Sequence, residues 1–142
     1  MHFVDKHAHI YAEELTSDLD LIMKNAVSVG VNKIIMPAID SSTLEAMLKV
    51  EQQFPEHCIG MMGLHPCYVK ENYKEELKLV EDWIGKRKFI AIGEIGLDFY
   101  WDKTFAKEQQ FVFETQMQWA IDLQLPIAIH TRNAMGETIE AV

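Results

Sequence analysis

The chain has few of the residues and segments that mark secreted or membrane-bound proteins. It contains two cysteines, four prolines and seven glycines among 142 residues, and Cys58 and Cys67 show neither a CxxC motif nor a disulfide framework. No apolar run approaches the roughly 18 residues that a membrane span needs. The amino terminus lacks the basic and apolar regions of a signal peptide. We therefore expect a cytoplasmic protein with no membrane partner.

Several signatures of common enzyme classes are missing as well. There is no Walker loop, no GxGxxG that opens a helix and no GxSxG elbow, which disfavours kinases, dehydrogenases and serine hydrolases. Basic residues are scarce, because 13 Lys and Arg stand against 22 Asp and Glu, for a net charge of −9. That charge disfavours loose adhesion to nucleic acid. It leaves room for an enzyme of phosphodiesters, since bound divalent cations can supply positive charge locally.

Strand-like and helix-like segments alternate along the chain without a linker. A length of 142 residues, with 49% hydrophobic residues, suits one globular domain. The predicted strands are 3–10, 31–39, 58–64, 89–97 and 126–130. The predicted helices are 18–29, a helix from the capping-box spacing Ser42–Glu45 to Pro55, 73–84, 104–123 and a last helix near Met135. This alternation predicts an α/β fold with parallel strands.

Side chains that could carry chemistry stand mainly at the carboxyl ends of the predicted strands. They are His9, His65, Glu94, Asp98 and His130. Both (β/α)8 barrels and doubly wound sheets build active sites at that edge, so this placement does not choose between them. A barrel of eight strands also needs roughly 200 residues or more, whereas five strands are recognisable in the sequence.

The segment Asp5-Lys6-His7-Ala8-His9 indicates a metal site. In an extended strand alternate side chains share one face, so Asp5, His7 and His9 should converge. Two neutral imidazoles can bind one divalent cation, although chance histidines on a strand remain an alternative. Glu94 and His130 complete the candidate set. A carboxylate in a core strand such as that of Glu94 suggests a bound partner, because burying an unpaired carboxylate is costly. The alternative for Glu94 is a strand-end charge that faces solvent.

Other residues have both a functional and a structural interpretation. His65 could hydrogen-bond a phosphate or position water, or it could be a structural histidine. Asp98 could orient a metal-bound group, or it could be a turn residue or a helix cap. Arg132 could make a forked contact with a substrate phosphate or a surface salt bridge. The aromatic run Phe99-Tyr100-Trp101 could stack bases, but we favour packing beneath a loop. Cys67 has no identifiable partner, so it is not predicted to be a nucleophile.

Four motifs, in order along the chain, resemble the signatures of TatD-type metal-dependent hydrolases. They are Asp5-x-His7-x-His9, Gly63-Leu64-His65-Pro66, Gly93-Glu94-Ile95-Gly96-Leu97-Asp98-Phe99 and Pro126-Ile127-x-Ile129-His130-Thr131-Arg132. Each motif is weak alone, but the ordered set is specific. The resemblance implies a partial TIM-type (β/α)8 barrel of the amidohydrolase class, with about five parallel strands. Residues 1–142 would be the amino-terminal part of that single domain.

The resemblance also implies an activity and a set of metal ligands. The reaction would be hydrolysis of phosphodiester bonds, often in DNA from the 3′ end, with two divalent metal ions such as Mg²⁺, Mn²⁺ or Zn²⁺. By position in the motifs, His7 and His9 would hold the first metal and His130 the second, while Glu94 would bridge both.

The remaining motif residues receive roles around that centre. Glu94 and His65 would be the catalytic residues, and His65 and Arg132 would approach the substrate phosphate. Asp5 and Asp98 would orient ligands or metal-bound groups.

The family pattern also includes a further histidine and a strand-eight aspartate that this sequence does not contain. We therefore expect a fragment of a longer protein, with impaired catalysis on its own. Two alternatives stay open. One is a C–N bond hydrolase of the amidohydrolase type, although those enzymes often use a carboxylated lysine where this chain has Glu94. The other is an inactive truncated scaffold that self-associates through open sheet edges.

Overall fold

Strands and helices alternate along the whole chain in the computed structural model, which describes residues 1–142. The strands are Phe3–Asp5 (β1), Val31–Pro37 (β2), Cys58–Met61 (β3), Ile92–Asp98 (β4) and Ile127–Arg132 (β5). The helices are Leu19–Ser28 (α1), Ser41–Gln53 (α2), Tyr73–Lys86 (α3), Ala106–Leu123 (α4) and Met135–Ala141 (α5). The predicted α/β fold is confirmed. None of these helices combines the length and apolar character needed to cross a bilayer.

The strands are parallel and lie side by side in the order of the chain. β1 pairs with β2, β2 with β3, and β4 with β5. A single parallel bridge between Met62 and Ile92 joins the two ladders. Parallel strands in sequential order, with a helix between each pair, form the arc found in (β/α) barrels. The carboxyl ends of the strands consequently share one edge, where the candidate residues are expected.

The first strand is much shorter than the sequence predicts. A strand is expected over 3–10, but β1 ends at Asp5, where Oδ1 of Asp5 accepts a hydrogen bond from the backbone N–H of His7 at 3.0 Å. Farther along, the Ala8 N–H donates to the Ile35 carbonyl at 3.1 Å. The segment therefore stays beside β2, and His7 and His9 lie on a loop that follows the strand.

Helix α2 begins before the position that its capping-box spacing predicts. Asp40 precedes the helix, and its Oδ1 accepts a hydrogen bond from the Ser42 N–H at 3.0 Å. Thr43 Oγ1 accepts in return from the Asp40 N–H at 3.3 Å. Both partners of a capping box are present, but Asp40 occupies the cap that the spacing assigns to Ser42.

Strand β4 is buried along its whole length and packs against α4. Phe113 of α4 packs against it with no exposed surface. Ile121 of the same helix is 69% exposed. The buried face of α4 includes two polar side chains, Gln109 and Gln116, beside the apolar ones. Burial of β4 on all sides forces its two carboxylates, Glu94 and Asp98, to find partners inside the protein.

Substitution of Gly96 tests how closely β4 packs on β5. Its φ is +145°, and a Cβ at this position would collide with the backbone carbonyl of His130. We expect Gly96→Ala to lower the free energy of unfolding by about 2 kcal/mol or more, because the clash adds to backbone strain. Denaturant unfolding followed by circular dichroism measures the change.

Gly85→Ala is the matched control, because a Cβ at Gly85 in α3 meets nothing within 4 Å. Higher helix propensity should make this variant more stable by roughly 0.5–1 kcal/mol. A Gly96→Ala chain as stable as the parent would contradict the packing described for the two strands.

Candidate metal centre

The side chain of Glu94 is the hub of the candidate site. The pairing of β4 with β5 shifts between Gly93 and Ile95, and such an irregularity redirects the side chain that it contains. Glu94 is only 7% exposed. Four histidines surround its carboxylate, two from the segment after β1, one from the turn after β3 and one from β5. The predicted convergence of the strand ends therefore occurs.

One oxygen of the Glu94 carboxylate faces the amino-terminal histidines. Oε2 is 3.0 Å from Nε2 of His7 and 3.6 Å from Nε2 of His9. The two Nε2 atoms are 3.3 Å apart. These three potential ligand atoms all lie within 4.8 Å of one another, so one cation could contact them together.

The other carboxylate oxygen faces a second group of potential ligands. Oε1 of Glu94 is 3.0 Å from Nδ1 of His130 and 3.6 Å from Nε2 of His65. Ligand atoms of His65, Cys67 and His130 also lie within 4.8 Å of one another. Two separate donor sets thus share one carboxylate, and this geometry suits a glutamate that bridges two divalent cations.

Asp98 contacts the outer side of His130. Oδ2 of Asp98 is 2.8 Å from Nε2 of His130, and its Oδ1 accepts a hydrogen bond from the Tyr100 N–H at 3.0 Å. The Cys67 thiol also donates to Oδ2, at 3.2 Å. Asp5 differs, because it is exposed and holds the backbone of His7 rather than an imidazole ring.

Tyr11 is a partner of His9 that the sequence did not reveal. Its hydroxyl donates to the Pro37 carbonyl at 2.5 Å. That carbonyl can only accept, so the single hydroxyl proton is committed and Nδ1 of His9 must donate to the hydroxyl oxygen, at 2.8 Å. A neutral His9 then keeps Nε2 unprotonated and directed toward Glu94, which is the tautomer that a metal ligand needs.

Two buried glutamines of α4 hold the loops of the site, and neither was predicted from the sequence. Gln116 accepts from the Leu64 N–H at 2.7 Å and donates to the Leu64 carbonyl at 3.2 Å. Gln109 makes the same pair of bonds with Asp98, at 2.8 and 3.1 Å. Leu64 directly precedes His65. Polar residues on the otherwise apolar face of α4 were the available signal, because a buried amide needs partners.

The charged groups of the site depend strongly on one another. Burial alone would raise the pKa of Glu94, but the hydrogen bond with His130 and the nearby imidazoles of His65 and His9 hold this pKa well below its usual range. Burial likewise opposes the low pKa of Asp98, which the Tyr100 N–H and His130 maintain. Hydrogen bonding to Glu94 raises the pKa of His130 despite burial, and Asp98 adds to that effect. The cluster therefore favours ionised carboxylates beside a protonated His130.

Cys67 lies among these groups as a thiol. Burial, the hydrogen bond to Asp98 and the charge of Asp98 raise the pKa of Cys67 to about 11. A thiol with that pKa stays protonated near neutral pH and is a weak nucleophile. The expectation that Cys67 is not a nucleophile agrees with this environment, although the residue does have partners in space.

A cavity of about 530 Å³ opens beside the cluster and is large enough for a small ligand. His9, His65 and His130 line one part of it, and Arg132 and Trp101 line another. The guanidinium of Arg132 lies 3.6 Å above the ring of Tyr100 and makes no salt bridge, so the surface salt bridge is not observed. Packing beneath a loop is the wrong interpretation for Tyr100 and Trp101, which are 49% and 73% exposed.

Comparison with known sequences gives consistent matches along nearly the whole chain. The family model described as TatD related DNase matches residues 4–142. A metal-dependent hydrolase of Bacillus subtilis, YabD, is 30% identical over 95% of this chain and 52% of its own length. The 3′-5′ ssDNA/RNA exonuclease TatD of Erwinia tasmaniensis is 26% identical over 92% of this chain and 50% of its length. The chain thus spans about half the length of the curated relatives it matches.

Solved structures share the fold. The TatD homologue YjjV of Escherichia coli superposes with a TM-score of 0.88 and 26% identity, over 97% of this chain and 54% of that one. A TatD family hydrolase from Entamoeba histolytica gives a TM-score of 0.81 at 21% identity, over 99% and 53% of the two chains. The parallel strands and alternating helices are therefore those of the TatD barrel.

The contacts of His130 predict how stability of the metal-free protein depends on pH. The pKa of His130 is higher in the folded protein than in the unfolded chain, where it is near 6.5. Its contribution to the free energy of unfolding is therefore complete below pH 6.5 and is lost as the pH rises through the pKa of the folded state. We expect His130→Gln to lower the free energy of unfolding more at about pH 6 than at about pH 9. Denaturant titrations in a chelator provide the measurement.

The control is His57→Gln, whose imidazole contacts the Asn32 carbonyl outside the cluster. The loss in free energy of unfolding should differ more between the two pH values for His130→Gln than for this control. An equal loss of stability by His130→Gln at both pH values would show that the two carboxylates do not hold the imidazole in its charged form.

Proposed function

Because the chain belongs to the family of TatD related DNases, we propose that it is part of a metal-dependent phosphodiesterase that hydrolyses DNA, with 3′-5′ exonuclease action. Residues 1–142 are proposed to form the amino-terminal part of a single barrel domain. The observation that carries this proposal is the position of Glu94, whose two oxygens face two separate histidine groups. The name of the Erwinia tasmaniensis relative supports a single-stranded nucleic acid as substrate.

Two divalent cations are assigned to the two sides of Glu94. His7 and His9 would hold one with Oε2, and His130 would hold the other with Oε1. The donors are imidazole nitrogens and carboxylate oxygens, which suit Zn²⁺ and Mn²⁺ and, with water, Mg²⁺. When bound, the cations supply the positive charge that polarises a phosphodiester and eases deprotonation of water.

The chain's own side chains prepare this site for a phosphate. His65 lines the cavity with Nε2 3.6 Å from Glu94, so it is proposed to contact a phosphate oxygen or the attacking water. Arg132 lines the same cavity and carries a guanidinium suited to a forked phosphate contact. Asp98 holds the His130 ring from behind, and a metal at Nδ1 of that ring would replace its proton.

A glutamate at the bridging position separates this proposal from the C–N bond hydrolases. Those relatives often use a carboxylated lysine there, whereas Glu94 already carries a charge that its neighbours maintain. A cytoplasmic location stays a prediction from the sequence. Self-association through the outer strands β1 and β5 also stays a prediction, based on their unpaired edges.

Glu94→Gln tests the proposed activity in the full-length protein. The substitution keeps the shape of the side chain but removes the charge that both cations would share. We expect the rate of single-stranded DNA hydrolysis with Mg²⁺ or Mn²⁺ to fall by more than about 100-fold. Loss of a residue that only hydrogen-bonds to a metal ligand usually costs about 10- to 100-fold, and loss of the ligand's own charge should cost more. Release of nucleotides from a labelled 3′ end measures the rate, and calorimetry with Mn²⁺ measures metal binding.

Glu114→Gln makes the same chemical change at an exposed position of α4, where the carboxylate contacts only Gln110. This control should keep the parental rate and the parental metal affinity. Equal DNase activity of the parent and Glu94→Gln would remove the basis of the assignment.

Tyr11→Phe tests the support of His9. The variant removes the oxygen that accepts from Nδ1 and leaves the tautomer of His9 undetermined. We expect metal affinity to fall by about 10- to 100-fold, the usual effect of losing a partner behind a metal ligand. Calorimetry with Mn²⁺ measures it, with Tyr73→Phe on α3 as the control outside the site. Unchanged affinity in Tyr11→Phe would contradict the role given to the hydroxyl.

A further inference from the structure

We propose that Trp101 is a stacking platform for a nucleobase of a single-stranded nucleic acid whose backbone phosphate lies at the metal centre. This inference rests on the proposed function and adds to it the part of the substrate that the chain would bind beyond the phosphate. Trp101 lies on the loop that follows β4, whose last residue is Asp98. The loop thus connects the metal centre to an exposed aromatic surface.

The indole of Trp101 is exposed beside the reactive cluster. It is 73% exposed, although burial of a large aromatic ring is strongly favourable in folded proteins. It lines the same cavity as His65 and His130. A base placed on this ring would therefore belong to the nucleotide chain that reaches the histidines, and stacking would replace the burial that the ring lacks.

Neighbouring side chains hold the platform in place. The ring of Tyr100 meets the Trp101 ring edge-on, with centroids 4.7 Å apart and planes at 89°. The guanidinium of Arg132 covers Tyr100 at 3.6 Å and lies 5.3 Å from the Trp101 centroid. Because these contacts use the face of Tyr100 and restrict the indole, a base would bind to a surface that is already oriented.

Backbone hydrogen bonds restrain the loop on both sides of Trp101. On one side, the Tyr100 N–H donates to Asp98 at 3.0 Å. On the other, the Thr104 N–H donates to Asp102 at 2.8 Å. Asp98 also contacts His130, so the same carboxylate sets the position of the loop and of the imidazole. The spacing between platform and metal centre is consequently a property of the fold.

The cavity wall carries charges of both signs, because Asp98 and Asp102 line it together with Lys70 and Arg132. The two basic side chains are the groups of the wall that could contact the phosphates of a bound strand. Divalent cations bound at the metal centre would offset the nearby carboxylates. Base stacking tolerates every base and requires an unpaired strand, so we expect little sequence preference and weak binding of duplex DNA.

Fluorescence of Trp101 tests the proposal directly. Residues 1–142 contain three tryptophans, so Trp83→Phe together with Trp119→Phe leaves Trp101 as the only indole among them, and the same titration of Trp101→Phe identifies its share of the emission. A short oligothymidylate with phosphorothioate linkages, which resist cleavage, is titrated with Mg²⁺ present. We expect binding to quench the Trp101 emission, because the base stacks on the ring. An oligonucleotide that does not bind, or binds without a change in emission, overturns the proposal.

Affinity measurements with substitutions separate stacking from phosphate binding. Trp101→Ala should weaken oligothymidylate binding by about 5- to 100-fold, the range for loss of one stacked base, and Trp101→Phe should retain most of the affinity. Phe111→Ala is the matched control, because Phe111 is a 54% exposed aromatic residue of α4 outside the cavity. Its affinity should equal that of the parent, and circular dichroism verifies that each variant is folded.

An abasic oligonucleotide of the same length keeps the phosphates and removes the bases. The parent and Trp101→Ala should bind this probe equally, since no base is present to stack. The proposal is overturned if Trp101→Ala binds oligothymidylate with the affinity of the parent. It is also overturned if the substitution weakens binding of oligothymidylate and of the abasic oligonucleotide equally. Failure of the platform leaves the Glu94→Gln result intact, whereas failure of the hydrolase appears as DNase activity that Glu94→Gln does not reduce.

Discussion

The buried carboxylate of Glu94 is the constraint on which the site depends. A lone carboxylate in a fully buried strand would be strongly destabilising, and here four imidazoles approach it within 3.0 to 3.6 Å. Those rings come from the loop after β1, the turn after β3 and β5. Compensation of the Glu94 charge therefore requires contact between parts of the chain that are distant in sequence. The same contacts bring together nitrogen and oxygen donors that a pair of cations could use.

Helix α4 connects the core to this constraint. Phe113 packs against β4, while Gln116 and Gln109 each bind both backbone groups of a residue that flanks the site, Leu64 and Asp98. A helix can make such paired bonds only if its distance from both loops is constant. The hydrophobic packing of α4 thus sets the positions of the loops that carry His65 and contact His130. Stability and site geometry share these contacts.

Much of this arrangement could be predicted from the sequence, because it follows from local patterns. Alternating segments predict parallel strands in chain order, and parallel strands bring Glu94 and His130 to one edge. Features that depend on distant partners were not predictable. β1 ends early because the carboxylate of Asp5 binds a backbone N–H, and the roles of Tyr11 and Gln116 require Pro37 and Leu64, which are far away in sequence. The exposure of Trp101 likewise has no signature in an aromatic run.

The distribution of charge is compatible with the anionic substrate that we propose for this acidic chain. Glu94 and Asp98 stay ionised in the site, so without cations the cluster would repel a phosphate. The same ionisation makes the cluster attractive to divalent ions, whose charge would reverse the local potential. Lys70 and Arg132 lie along the cavity wall rather than beside Glu94. From the wall they could contact the backbone of a nucleic acid without competing with the cations for the metal ligands. Affinity for nucleic acid would then depend on metal occupancy and on stacking more than on the net charge of the protein.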